Sequence, residues 1–545
     1  MTQPLETTAH DPAASASRLL AQHWLWLGVA VACGAVAGFL GHQLLAWPPH
    51  EDETLALFVG RDSFAGVVEH VTRERGGAPL HFLFAWLVSH AGLGLEGLRA
   101  VSAAFAVASL PLVALLGLRL ADRRVALIAT ALAGCSWMLL FHGVYGRMYS
   151  LFLCTSLLAW LGLLRALDRR GAGAWALWAA AMLACVATHP YGALVLVSQA
   201  VFVAAAHRHR LREAAIAFGA VLLAGVPFWL TDLVLAGRFD VGVGGGGGRL
   251  DGPSDVARYL WRTAGDLSAG WWPVLLATLA LATLGLCTVR RETRVLAAAV
   301  VGVPALAFVA ARFGSSTSPE SRHLIFVLPV LAILVAAGIL RVSRRAPALA
   351  PVLTALLLAA EVAWAWERTP PLFEWEPDAR QAARSEAGAY LAASSRSDDI
   401  LFGYEPLWLD GWEREPGFPR TVLPRADATL ALRQLRRGER PLGHGVWVID
   451  GSDTGNAEHT LAIEERSPRP ATAFDVRAFG PFLVIRTSAP TGTPRRYLYL
   501  AARVQLLGRS LGVGDADINM RTVERAERAR RGYASSERSL SSSSR

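Results

Sequence analysis

Charged residues are scarce in this 545-residue chain, at 18%, while hydrophobic residues make up 53%. With a mean hydropathy of +0.35, this excludes an ordinary soluble domain and fits a polytopic membrane protein. Lysine is missing altogether, so all 53 basic residues are arginine. With the high alanine content, that points to a GC-rich coding sequence more than to a function. Cysteine is nearly absent too. The five present (Cys33, Cys135, Cys154, Cys185, Cys287) lie inside apolar segments, which excludes a disulfide framework for an external domain and any metal-ligand spacing. The net charge of +9 on its own suggests nucleic acid. The arginines, however, stand largely in short clusters between apolar runs, so no nucleic-acid partner is expected. No internal repeat is evident.

Apolar runs near 22–46, 98–118, 125–143, 148–167, 213–235, 271–289, 295–312, 323–341 and 347–366 are each long enough to cross a bilayer. The stretch 173–206 accommodates two short spans meeting at "THPYG", which makes about eleven crossings. The spans look intact. The polar segment 1–21 is too long for the charged region of a cleaved signal, so the first run is expected to be retained, with a cytoplasmic tail before it. Short loops rich in arginine (119–124, 165–170, 207–213, 289–294 and 341–347) set those connections on the cytoplasmic side. The alternate loops, including "HEDE", "HGVYGRMY", "THPYG" and "SSTSPESRH", are then extracytoplasmic. Trp47, Trp271, Trp272, Trp364 and Trp366 fall at outer span ends, as an aromatic belt would.

Parity permits one crossing where two apolar segments, 78–92 and 98–118, occur. The first is about 15 residues, short of a span, so it is expected to lie along the outer leaflet with the amphipathic stretch 54–72. The external loop 47–97 thus reads as a small helical platform on a membrane domain, 22–367. After Trp366 the composition becomes polar, and 368–510 reads as an extracytoplasmic α/β domain. It has a helix at "DARQAARSEAGAYLAA", strands at "DDILFGY", "GVWVIDG" and "PFLVIRT", and an amphipathic stretch at 494–510. Residues 511–545 are low-complexity and expected to be disordered.

Three acids, Glu51-Asp52-Glu53, stand on the lip of the first span. Acids in an external loop are most often simply solvated. An ionisable group at a membrane boundary is functional more often than a surface acid is, and a carboxylate there can serve as general base or bind a metal. Glu51 has no part in this reading. Arg147, beside Tyr149, is either an interfacial arginine snorkelling to headgroups or a phosphate ligand, since guanidinium matches phosphate oxygens in bidentate fashion. Arg322 and His323 repeat that arrangement at another outer span end, and His189-Pro190-Tyr191 forms an outer turn. Carboxylates, arginines and histidines therefore converge on one leaflet, which chance scatter does not favour.

A first span ending in Asp52-Glu53, followed by "APLHF", "LRAVSAAFAV" (98–107), "GRMYSLF" (146–152), "THPYG" (188–192) and "SRHLIFVLP" (321–329), resembles the GT-C glycosyltransferases. The likeness is to the protein mannosyltransferase-like group, glycosyltransferase family 39, over most of residues 22–367. The resemblance implies a polyprenyl-phosphate-linked sugar as donor and transfer on the outer face. Asp52 is then the catalytic base, Glu53 assists, and Arg147, Tyr149, His189 and Arg322 hold the donor phosphate. His81, Tyr191 and His323 line the substrate pocket. The acceptor is a glycan, lipid or protein, the neighbours are membrane lipids, and a divalent metal is left open. The alternative is a transporter or flippase, which usually shows repeats and broken spans.

Overall fold

The computed structural model describes residues 12–169, 171–239, 252–314, 320–369, 377–423, 443–450 and 474–490. The first span is helix α1 (Pro12–Ala46), which starts well before residue 22 and takes up part of the expected tail. The first loop is helical, as its pattern implied: α2 (Glu51–Gly60), α3 (Phe64–Glu69), one π-helical stretch over His70–Arg75, and α4 (Pro79–His90). At 12 residues α4 is too short to cross a bilayer. It packs under α2, where a Cβ on Gly60 would meet the backbone oxygen of Ala85 at 2.5 Å, so the two helices approach closely only because glycine stands there.

The chain then runs through α5 (Gly94–Leu120), α6 (Arg123–Cys135), α7 (Trp137–Val144), α8 (Tyr149–Asp168), α9 (Ala172–Thr188) and α10 (Gly192–Ala206). It continues through α11 (Leu211–Ala224), α12 (Val226–Phe239), α13 (Pro253–Asp266), α14 (Trp272–Thr288), α15 (Arg291–Gly314), α16 (Leu328–Val342) and α17 (Leu349–Arg368). Among the described residues six helices are long and apolar enough to span a membrane. Two bent pairs raise that to eight, and three shorter apolar helices (172–188, 192–206, 272–288) complete the segments expected from sequence. The spans are not all intact: α6 and α7 meet at 52°, and the α11–α12 pair bends by 60°. Small residues let the bundle close, since Gly285 of α14 and Gly338 of α16 each lie against the other helix's backbone, at Leu334 and Leu281.

The two ends of the bundle differ in chemistry. At one end, Arg119 pairs with Asp168 (2.7 Å) and Glu292 (3.3 Å), and His207 reaches Glu292 at 3.3 Å. Arg210 donates to the Arg169 carbonyl at 2.8 Å, so four of the five arginine-rich loops meet there. Arg99, at the start of the same helix as Arg119, lies about 30 Å away along the axis, roughly one hydrocarbon thickness. The tryptophans divide. Trp272 and Trp366 are 68% and 69% exposed at span ends, but Trp47 is 7% exposed and packs on Phe39, Phe141 and Tyr145 inside the bundle.

Beyond α17, helix α18 (Pro377–Ser394) and α19 (Leu407–Arg414) accompany a five-stranded sheet: β1 (Ile400–Phe402), β2 (Thr421–Leu423), β3 (Gly445–Asp450), β4 (Phe474–Phe479) and β5 (Phe482–Thr487). Its order is β2-β1-β3-β5-β4, parallel from β2 to β3 and antiparallel beyond. The three expected strands and the helix are present; β2, β4 and α19 add to them. The stretches 494–510 and 511–545 lie outside the described residues. The domain sits on α2: Leu55 and Phe58 pack against its core, and Leu409 and Trp412 of α19 pack into the cluster under α2.

Candidate active site

Consecutive helical residues point about 100° apart, and the three acids at the start of α2 go three ways. Glu51 turns outward and accepts the backbone N–H of Tyr404 at 3.3 Å, tying the C-terminal domain to α2. It is an anchor, a part the sequence left unassigned. Glu53 turns inward and is fully buried. One of its oxygens accepts from Arg99 Nε (2.8 Å) and the Gly146 N–H (2.7 Å), the other from Arg99 Nη2 (2.8 Å) and the His50 N–H (2.8 Å). The last bond is half of a capping box that starts α2. Glu53 thereby clamps the end of α1, α2, α5 and the turn before α8 together.

Asp52 points between them. Its side chain stays 43% accessible, and Oδ2 pairs with Nη2 of Arg147, which is itself 6% accessible. Burial in the recess opposes ionisation, but Arg147, His50, Arg322 and Arg75 outweigh it and hold the carboxylate well below its usual range. Arg147 is reciprocally held charged: burial works against it, and Asp52 and Tyr149 more than offset that.

Arg147 lies on the turn delivered by the bend between α6 and α7, its guanidinium 5.1 Å from the Tyr149 ring centre. Arg322 approaches the same ring at 5.6 Å, so two cations share one tyrosine. Arg322 Nη2 donates to Glu320 at 2.9 Å. Both Nε–H groups are buried and have no acceptor among the described residues.

A ring cluster continues the wall. His189 stacks on Phe152 (4.8 Å) and on Tyr191 (5.3 Å), and His323 lies 4.8 Å from Tyr191 and 5.9 Å from Tyr149. His189 Nδ1 accepts from the Tyr191 N–H at 3.1 Å, which leaves Nε2 as the buried nitrogen without a partner among the described residues. Burial first, then Arg322 and Arg147, push its pKa down to about 3, so the ring is neutral. His81 follows a turn in which Ala78 takes a left-handed conformation (φ 48°) directly before Pro79, a sparsely populated state for alanine. It is buried, and burial and Arg147 lower its pKa to about 4, with Asp52 and Glu53 opposing.

The structure thus gathers Asp52, Arg147, Tyr149, His189, Tyr191, Arg322 and His323 into one cluster of contacts. His81 senses the same charges, and Glu53 stands behind as a clamp. Three participants were missed. Arg99 betrayed itself as an arginine in the first turns of an apolar span, which calls for a named partner. His142, buried between Trp137 and Tyr149 with both ring nitrogens unpartnered among the described residues, gave the same signal. Arg75 gave none, because its place over the Tyr404 ring at 4.4 Å depends on how the distant domain docks. Among the described residues no group of three or more His, Cys, Asp or Glu side chains is arranged to hold a metal ion.

Solved structures share this fold. In particular, the chain superposes on ArnT from Cupriavidus metallidurans in its apo state with a TM-score of 0.54 at 16% identity, over 86% of this chain and 98% of that one. On the same protein bound to undecaprenyl phosphate the TM-score is 0.57 at 16% identity, over 85% and 98%. No family model matches the sequence, and no curated protein matches it either.

Proposed function

We propose that this protein is a membrane glycosyltransferase that moves a sugar from a polyprenyl-phosphate donor to an acceptor hydroxyl on the extracytoplasmic face, with inversion. The observation that carries this is the pair of buried guanidinium Nε–H groups of Arg147 and Arg322, unmatched among the described residues, beside the open, ionised carboxylate of Asp52. A phosphate supplies acceptors to both cations, and charge-assisted bonds of that kind are the strong ones. ArnT's complex with undecaprenyl phosphate supports a polyprenyl phosphate as the lipid. The motifs in the first loop and around Arg147 favour family 39 within the GT-C group.

The steps follow from the groups present. Asp52 takes the proton of the acceptor hydroxyl as its oxygen bonds to the anomeric carbon. The bond from that carbon to the phosphate oxygen breaks on the opposite face, and its electron pair goes to the phosphate. Arg147 and Arg322 stabilise the charge gathering there, and neutral His189 Nε2 is placed to donate to it. A phosphate is a good leaving group, so no acid catalyst is required; the base contributes the usual 10²–10⁴-fold. Glu53 orients α2 rather than reacting, since all its lone-pair directions are taken. A divalent ion, if used, would be held by Asp52 together with the donor phosphate. No step is routed through it.

The two bent spans are a feature of transporters, yet the break at Ser136 delivers α7 and the Tyr145–Arg147 turn against Trp47 and His50. That serves the site rather than a pathway through the midplane. The decisive assay offers membranes a set of radiolabelled polyprenyl-phosphate sugars and identifies what becomes labelled. Transfer of label by the wild type and not by Asp52→Asn supports the reading; label that crosses the bilayer without transfer overturns it. Reporters fused after residue 370 and at 121 test sidedness, the first expected outside and the second inside.

A further inference from the structure

A second recess lies on the far face of the platform, where α2 and the π-helical stretch meet the C-terminal domain. Its volume is about 360 Å³, and its walls include Phe58, Arg61, Asp62, Glu74, Trp412 and Arg420. That is within the range of small-ligand sites. None of its lining residues belongs to the cluster around Asp52. Arg61, directly after α2, is nine positions beyond Asp52 and so about 13 Å from it along the helix.

The cavity has three kinds of wall. Phe58 and Trp412 form an aromatic surface, with ring centres 5.2 Å apart, and the indole is fixed by its N–H to the Pro419 carbonyl at 2.8 Å. Arg420, the next residue, lines the same cavity as Arg61. Arg61 lies 5.6 Å from the Trp412 ring centre, and its nearest acid is Glu413 at 3.6 Å, a loose pairing. Burial lowers the Arg61 pKa, Glu413 opposes this, and the like charge of Arg420 adds to it. Two guanidinium groups of like charge therefore line one cavity. In the same lining, His70 lies 2.7 Å from Glu74 and 3.6 Å from Asp62, a set of acceptors and a donor.

Each wall recognises a different part of one kind of molecule. An aromatic surface packs against the C–H face of a sugar ring, and planar acid and imidazole groups bind hydroxyls. An anion relieves the repulsion between two arginines and can be bound in bidentate fashion. We propose that this cleft binds an anionic sugar, a uronate or a sugar phosphate, belonging to the acceptor. This rests on the transferase reading above and extends it: an acceptor that fills this cleft and also reaches Asp52 is an oligosaccharide or glycolipid rather than a free monosaccharide or a bare peptide hydroxyl.

The test uses the full chain in nanodiscs, with tryptophan fluorescence and calorimetry as readouts. Glucuronate, glucose 6-phosphate, glucose and inorganic phosphate are titrated into wild type, Arg420→Gln, Arg61→Gln and Asp52→Asn. Saturable binding of glucuronate or glucose 6-phosphate at millimolar concentration is expected, weakened at least tenfold in Arg420→Gln and unchanged in Asp52→Asn. The uronate and the sugar phosphate arms tell which anion the cleft prefers. Arg420 is exposed, so that variant keeps its fold; a shared loss in Arg61→Gln places the anion between the two. Binding of neither acidic sugar overturns the proposal. So does equal binding of glucose, which removes the anion, or of inorganic phosphate alone, which removes the sugar. If the cleft binds as expected but no donor is ever turned over, the transferase reading fails and the cleft stands; the reverse pattern removes the cleft alone.

Discussion

Arg99 and Arg147 are both buried, at 1% and 6% exposure. Each lies over a tyrosine ring, Arg99 on Tyr145 at 5.3 Å and Arg147 on Tyr149 at 5.1 Å. They pair with adjacent acids of one helix, Glu53 and Asp52. What differs is the remainder. All five N–H directions of Arg99 are used, by both oxygens of Glu53 and by the carbonyls of Leu44, Trp47 and Pro48 at 2.7–2.9 Å. Arg147 has one carboxylate that stands half open to solvent and an Nε–H with no acceptor among the described residues. A buried cation with every donor met is part of the frame. One with a donor left over has capacity for a further acceptor.

The sharpest way to break this contrast is to remove the frame. Arg99→Ala leaves Glu53 buried and unpaired, and breaking such a pair costs about 3–5 kcal/mol. The variant should unfold at markedly lower temperature in detergent, while Arg147→Ala, whose partner can be solvated, should not. Equal stability of the two variants would mean that the donor count does not separate frame from site.

Next in size is the loss on the open side. Asp52→Asn keeps the shape and removes the proton acceptor, so sugar transfer should drop on the order of 10²-fold or more with folding and donor binding preserved. Glu53→Gln instead should show its effect in stability. A well-folded Asp52→Asn protein with full transfer activity would take the base away from the mechanism.

Smaller effects come with pH. Asp52's pKa is depressed, so its carboxylate is ionised above the ordinary acid range and is lost only as pH falls below it. Transfer by the wild type should therefore show no acid limb from this group above about pH 4. Arg147→Ala removes the largest attraction and should move that limb upward. His81 and His189 add a stability term of their own. Their pKa values fall from 6.5 to about 4 and about 3, so the unfolded chain takes up these protons first. Stability is full above 6.5 and declines as pH falls toward those values, by up to about 1.4 kcal/mol per pH unit for each. A melting temperature flat from pH 7 to 5 would show that these rings are not buried neutral.

Much of this was legible in the sequence because membranes impose a length on apolar runs and a side on arginines. The spans, the short helix at 78–92 and the gathering of Asp52, Arg147, His189 and Arg322 at one end of the bundle all follow from those two constraints. What lay beyond reach depends on contacts distant in sequence. The Glu53–Arg99 clamp joins residues 46 positions apart, and Glu51 meets Tyr404 across 353. No local pattern marks either. Nor does hydropathy register the bends after Cys135 and Ala224, since both halves of each pair are equally apolar.

The proposal at the centre of this mechanism is that Arg147 and Arg322, each with an Nε–H that meets no acceptor among the described residues, hold the donor's phosphate. It is tested most directly by measuring binding of a polyprenyl monophosphate to purified wild type and to the Arg147→Ala and Arg322→Ala variants. Each variant should bind more weakly by at least about 2 kcal/mol, or roughly 30-fold, with lysine at either position restoring only part of the loss. Unchanged affinity in both folded variants would return the two arginines to headgroup contacts and contradict the account.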